Sequence, residues 1–146
     1  MPWGIARPLA IPTIVATVAG ADVTLTAGSD ITGFTPSAAL AGGFTSQWAY
    51  VVWVHATIVL GGTAPSALVV KLKNAVPTTL DTFTIPPANL VNSAILPLSF
   101  MLVGTSSATL YNGTGDTPII TFNGTGQNST LKAQSRAVFA FWNTGD

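Results

Sequence analysis

The sequence contains a single histidine, His55, and any general-base chemistry of a serine hydrolase would have to use it. The carboxylates that could orient such a base are Asp22, Asp30, Asp81 and Asp116. No Gly-x-Ser-x-Gly elbow is present, and His55 lies in the middle of a run of large apolar residues. We therefore expect a histidine of the core or of an interface, and a protein that is not an enzyme.

The sequence also lacks the residue patterns that bind metals and cofactors. The five acidic residues are all aspartates, they are scattered along the chain, and no Asp-x-Asp pair or glycine-bearing calcium loop brings them together. The chain has no cysteine, which excludes thiolate metal sites and disulfides. Nothing places two carboxylates as a glycosidase would need them. We expect no metal and no cofactor.

Two similar segments, Asn-Gly-Thr-Gly at 112–115 and at 123–126, allow two interpretations. Asn-Gly is a strong turn dipeptide, so both segments are predicted to be hairpin turns. The alternative is a pair of ligand-binding or host-facing loops at one end of the fold. The Asn-x-Ser/Thr matches at Asn112, Asn123 and Asn128 are short enough to arise by chance in such a composition.

Aromatic residues offer a further kind of site, since four tryptophans and seven phenylalanines could form a platform that stacks on sugars. Carboxylates and amides, which usually surround such a platform, are sparse near Trp48 and Trp53. Packing in a core or a subunit interface is the preferred interpretation. The residues expected at contacts between subunits are Trp3, Ile5, Leu9, Trp48, Tyr50, Trp53 and Trp142.

The composition favours burial of surface in an assembly. The chain has 146 residues, enough for one domain, of which 48% are hydrophobic and only 7% charged. An ordinary globular domain carries about 25% charged residues, and charge is what keeps a free monomer soluble. Five basic residues balance five acidic ones with no basic run, so direct binding of nucleic acid is disfavoured.

Proline divides the chain into an arm and a domain. Residues 1–12 contain Pro2, Pro8 and Pro12 and are predicted to form an extended N-terminal arm, followed by one β-sandwich domain at 13–146. The apolar run after Arg7 imitates a signal peptide, but its prolines interrupt the pattern. The longest apolar stretch is too short for a membrane-spanning helix.

The chain is predicted to be organised around one strand, Trp48–Leu60. Its sequence, WAYVVWVHATIVL, is rich in β-branched and aromatic residues and ends at Gly61-Gly62. Alternate side chains of a strand point to opposite faces, and here both faces are apolar. Such a strand lies between two layers or turns its second face to a neighbouring subunit, and we expect the second arrangement.

The remaining pattern predicts about eight short strands separated by Gly, Pro and Asn turns, with a long loop at 27–43. The other predicted strands include segments 13–26, 67–74, 79–85, 93–103, 117–122 and 136–142. Pro97 assigns strand 93–103 to an edge or a bulge. This spacing indicates an all-β sandwich or barrel.

The order of these features resembles the single jelly roll of viral capsid and capsid-decorating proteins. The resemblance is carried by the arm MPWGIARPLAIP, by WAYVVWVHATIVLGG, SALVVKLKN, LDTFTIPP and SAILPLSFMLVG, and by the terminal RAVFAFW. It implies an eight-stranded antiparallel sandwich that assembles around three-fold or higher axes. The family pattern marks no catalytic residue. The arm also departs from a genome-binding arm, because Arg7 is its only basic residue.

The function expected from these observations is that of a structural virion protein. It would be a capsid or capsid-decorating (cement) subunit that contacts copies of itself in a trimer and other capsid proteins, without direct contact with nucleic acid. The alternative is a trimeric jelly-roll module that binds carbohydrate or a receptor. A hydrolase is the third class, and it would depend on His55.

Overall fold

The computed structural model describes residues 13–36, 48–73, 78–106 and 118–143. Its ten strands are β1 Thr13–Val18, β2 Val23–Leu25, β3 Ile31–Phe34, β4 Trp48–Leu60, β5 Ala67–Lys73, β6 Thr79–Thr84, β7 Ile95–Ser106, β8 Ile119–Thr125, β9 Ser129–Leu131 and β10 Arg136–Asn143. Helix within these ranges is limited to the single 3-10 turn Pro87–Asn89, and none there could cross a membrane. The predicted all-β class is confirmed.

The strands form two antiparallel sheets. In the first sheet the long strand β4 pairs with β7 on one side; on the other it pairs with β10 along one part and β9 along another. Strands β1 and β2 lie beyond β10 and β9, respectively. The second sheet has the order β3-β8-β5-β6. With β1/β2 and β9/β10 each taken as one line, this is the eight-line, two-sheet order of a jelly roll.

About eight strands were expected and ten are observed. The difference arises because the lines β1/β2 and β9/β10 are each interrupted once, and the two interruptions lie next to each other. The backbone N–H of Ala19, after β1, donates to the carbonyl of Ser135, just before β10, over 2.9 Å. The N–H of Ala133 donates to Oδ1 of Asp22, also over 2.9 Å. The two breaks thus satisfy each other's hydrogen bonds, and the lines continue on either side of them.

Two local predictions were wrong. The expected loop at 27–43 contains strand β3, which pairs with β8. The expected turn at Asn123-Gly124 lies inside β8, where the two residues pair with Val69 and Leu68 of β5. The chain turns later, at Gly126, whose φ of +94° suits glycine. The other predicted turn, at Asn112-Gly113, lies outside the described residues.

The core lies between the two sheets. It is built from every second residue along the strands, those whose side chains point inward. Its largest fully buried side chains are Leu25, Ile58, Leu68, Leu72, Ile85, Leu102, Ile120, Phe122, Leu131, Phe139 and Phe141. At one side of the sandwich, Phe83 of β6 stacks on Phe100 of β7 with ring centroids 4.2 Å apart. This contact joins the edge strands of the two sheets and holds β7 against the core.

Candidate assembly surface

Strand β4 has one buried and one accessible side within the described structure. Val52, Val54 and Ile58 point into the core and are 0% exposed. On the opposite side, Trp53 is 39% exposed and His55 is also exposed. The two-sided apolar pattern of this strand therefore does not come from burial between two layers of the described chain. The second side is left for another contact.

The register of the first sheet extends this accessible side across four strands. One row of neighbours runs Ile14–Ala140–Val51–Val103, from β1 through β10 and β4 to β7. The next runs Ala16–Val138–Trp53–Met101 along the same strands. We call these two rows, together with Val18 of β1, the open face. Apart from Ala16 and the buried Ala140, its residues are valines or larger apolar side chains.

Exposure confirms that much of the open face is accessible. Ile14 is 63% exposed, Met101 53% and Val103 45%. Contiguous apolar patches above about a few hundred Å² are rare on monomeric proteins and mark interaction surfaces. The open face presents these three side chains and Trp53 on a hydrogen-bonded sheet that fixes their relative positions. It is suited to packing against another protein surface.

The outward side of the second sheet has a different character. There Asp30 accepts hydrogen bonds from Nζ of Lys71 (2.8 Å) and Lys73 (2.6 Å), and from Nδ2 of Asn123 (2.6 Å). Partial burial would raise the pKa of the Asp30 carboxyl, but these three donors together hold it well below its ordinary value. Three charged side chains therefore meet on the outer side of the second sheet, whereas the two rows of the open face carry none.

His55 was expected in the core or at an interface; it lies on the accessible side of β4, which excludes the core, and the interface stays a proposal. Its Nδ1 is 3.2 Å from Oγ of Ser99. The aspartates of the described residues are engaged elsewhere: Asp22 with Lys132, Asp30 with the two lysines of β5, and Asp81 with the backbone N–H of Val103. None of them orients the imidazole, and Asp116 falls outside the described residues.

The remaining contact residues expected from sequence are only partly located. Trp53 lies in the centre of the open face. Trp48 and Tyr50 lie in β4, and Trp142 lies in β10 opposite Ala49, but their side chains are outside the described part. Trp3, Ile5 and Leu9 belong to the arm at 1–12, which is also outside it. The involvement of these six, and of Trp53, in subunit contacts stays a prediction.

Sequence reasoning missed the contributions of β1 and β7 to the open face. Ile14, Met101 and Val103 were recognised only as parts of apolar strands. Segment 95–103 has apolar residues on both of its faces, so its sequence does not show which face points away from the core. The pairing of Trp53 with Met101 supplies that information, and pairing is a tertiary property. Asp30 was also missed, since it reaches Lys71 and Lys73 across the sheet from 41 and 43 positions away.

The similarities found between this chain and known proteins are structural. No protein-family model and no curated protein sequence matches the chain. Among solved structures, a T=1 particle derived from infectious bursal virus is similar over 88% of this chain and 31% of its own, with 19% identity and a TM-score of 0.42. The viral capsid protein STIV MCP is similar over 90% and 48%, with 12% identity and a TM-score of 0.33.

The structural neighbours also include an enzyme. The α-L-arabinofuranosidase MgGH51 is similar over 83% of this chain and 18% of its own, with 16% identity and a TM-score of 0.43. The chain spans only about a third of the length of the first infectious bursal disease virus proteins it resembles. At TM-scores below 0.5 these likenesses are too distant to transfer a function, so the role has to be argued from the chain's own surface.

Proposed function

We propose that this protein is a structural subunit of a virion, in a capsid or a capsid-decorating layer, and that the open face is its main contact with neighbouring subunits. The observation that carries the proposal is the apolar sheet surface around Trp53 and Met101, which no described segment covers. Interfaces that form permanently are apolar and poor in charge, as this face is. The low charge of the whole chain agrees with such a role.

The edge of the first sheet favours packing through the face rather than strand addition along β7. Oδ2 of Asp81 accepts the N–H of Val103 over 2.9 Å, and Pro97 has no N–H to donate. Both features remove donors from the edge that a further strand would need. Subunits would therefore associate by burying side chains of the open face, in a trimer or a larger closed assembly.

Oxidation of Met101 tests this role directly. Its side chain is half exposed in the subunit and should be shielded in the assembly. Assembled and dissociated protein would be treated with hydrogen peroxide and the sulfoxide at Met101 quantified by peptide mass spectrometry. We expect Met101 to oxidise much more slowly in the assembly. Equal rates in the two states would show that the open face is not the contact.

The N-terminal arm is assigned a second, separate role: residues 1–12 clamp a neighbouring subunit through Trp3, Ile5 and Leu9. Deletion of residues 1–12 leaves the open face intact, so it should weaken the assembly without abolishing it. Particle melting temperature and dissociation on dilution measure the effect. An unchanged particle would remove the arm from the proposal and leave the face-to-face contact standing.

The alternative role, a trimeric carbohydrate- or receptor-binding module, is kept because a cleft lined in part by His55, Ser99 and Arg136 borders the open face. Glycan binding would have to be saturable and would have to be lost when residues of that cleft are changed. In the structural role, the same changes leave particle formation in place.

A further inference from the structure

A cleft of about 400 Å³ lies next to the open face, where the apolar rows give way to a polar one. The polar row runs Val18–Arg136–His55–Ser99 across β1, β10, β4 and β7. The cleft is lined by His55, Ala56, Thr57, Pro97, Leu98, Ser99, Gln134 and Arg136. Its polar groups thus come from three neighbouring strands and from the turn before β10, which fixes their relative positions.

The distribution of charge singles out Arg136. Among the described residues, Lys71 and Lys73 are paired with Asp30, and Lys132 is paired with Asp22. Arg136 is exposed at the cleft and, within those residues, has no carboxylate partner. Within the described part of the chain, this leaves one cation without an ion pair, and it faces a cleft whose other polar groups include neutral donors.

We propose that this cleft binds one carboxylate group. The planar guanidinium of Arg136 can donate two parallel hydrogen bonds to a carboxylate, and the Ser99 hydroxyl and the Gln134 amide can donate to it as well. A single positive charge matches a monoanion, whereas a phosphate dianion would keep an unbalanced charge. Pro97 and Leu98 provide an apolar wall for the group that carries the carboxylate.

Two sources share this chemistry: a carboxylate of a second copy, and a small free acid such as an acidic sugar. Because the cleft borders the open face, a copy packed on that face would bring its own groups close to Arg136. Asp116 and Asp146 are the aspartates outside the described residues. The inference goes beyond the proposed structural role, since the cleft can bind a free acid whether or not the protein assembles.

The test uses the ring-proton NMR resonances of His55, which need no assignment because the chain has no other histidine. Sodium acetate is titrated at constant ionic strength and pH, with chloride and phosphate as comparison anions. We expect a saturable shift with acetate and weaker binding of phosphate. Arg136→Gln should weaken acetate binding at least about tenfold. Arg136→Lys should weaken it less, because lysine keeps the positive charge but cannot donate two parallel hydrogen bonds to the carboxylate.

Lys132→Gln is the matched control, because it also removes a cation but at a residue that does not line the cleft. Amide spectra of each variant establish that it is folded. A shift that does not saturate, or equal binding by wild type and Arg136→Gln, would overturn the inference. So would a loss of binding in Lys132→Gln as large as that in Arg136→Gln, since the effect would then be one of overall charge.

Protein concentration separates the two sources. If a second copy supplies the carboxylate, the His55 resonances change with protein concentration without acetate, and Asp116→Asn or Asp146→Asn abolishes that change. If the ligand is a free acid, the resonances are independent of concentration and acetate still saturates. Saturable acetate binding by a protein that stays monomeric would support the cleft and refute the assembly proposal, so the two can fail separately.

Discussion

Replacing Met101 with lysine should separate folding from assembly. Met101 is 53% exposed on edge strand β7 beside Trp53, so a lysine can lay its methylenes on the indole and keep its ammonium in water. The free energy of unfolding should change by less than about 1 kcal/mol. In a subunit contact, the variant loses about 1 kcal/mol, roughly half the burial energy of a methionine side chain. Desolvation of the ammonium adds several kcal/mol more.

Together these two effects cost at least about 4 kcal/mol per contact, which is about a 1,000-fold increase in the dissociation constant. Sedimentation velocity over a concentration series measures that change, and thermal unfolding checks the fold. Thr84→Lys is the control, because it adds the same charge to an exposed position on β6, the edge strand of the other sheet. If Met101→Lys assembled as well as Thr84→Lys, the open face would not be the subunit contact.

Two further predictions concern stability. Asp30→Asn should lower the free energy of unfolding by about 1–2 kcal/mol near neutral pH, measured by urea denaturation, because the network loses its charged acceptor. Since the pKa of folded Asp30 lies below its ordinary value, this contribution is present above that value and is lost as the pH falls through the folded pKa, so wild type and variant should converge in acid. Gly33→Ala should cost about 1–3 kcal/mol, because its Cβ would lie 2.5 Å from the Phe122 ring. Gly62→Ala, with open space around its Cβ, should be nearly neutral.

The parts of the fold predictable from the sequence were those determined by long local patterns. Strand Trp48–Leu60 has the bounds predicted, because thirteen residues of β-branched and aromatic character between polar and glycine segments leave little choice. Pro97 predicted an edge or a bulge, and the edge is confirmed, since within the described ranges β7 pairs only with β4. These features depend on residue type and spacing alone.

The parts that were missed depend on pairing between distant segments. β3 is only four residues long and contains a glycine, which the sequence pattern assigns to a loop. That glycine is required because Phe122 packs directly against it. Asn123-Gly124 has the composition of a turn, but pairing with β5 keeps both residues in a strand. In each case a tertiary contact overrides the local preference.

The candidate site was likewise predicted in part. Trp53 and the second apolar face of β4 were expected at a surface contact, and both are accessible in the structure. The width of the open face could not be predicted, because it depends on which strands flank β4. The position of His55 beside Ser99 and Arg136 has the same origin, since the three residues meet only through the register of β7, β4 and β10.

The central claim, that the open face is covered by other subunits, is tested most directly by the solution mass of the full chain. Light scattering would be recorded during dilution and at several salt concentrations. We predict a discrete trimer or larger closed assembly that survives dilution and is not weakened by salt, because apolar contacts are not screened. A stable monomer at every concentration would contradict the claim, since the open face would then be a solvated surface.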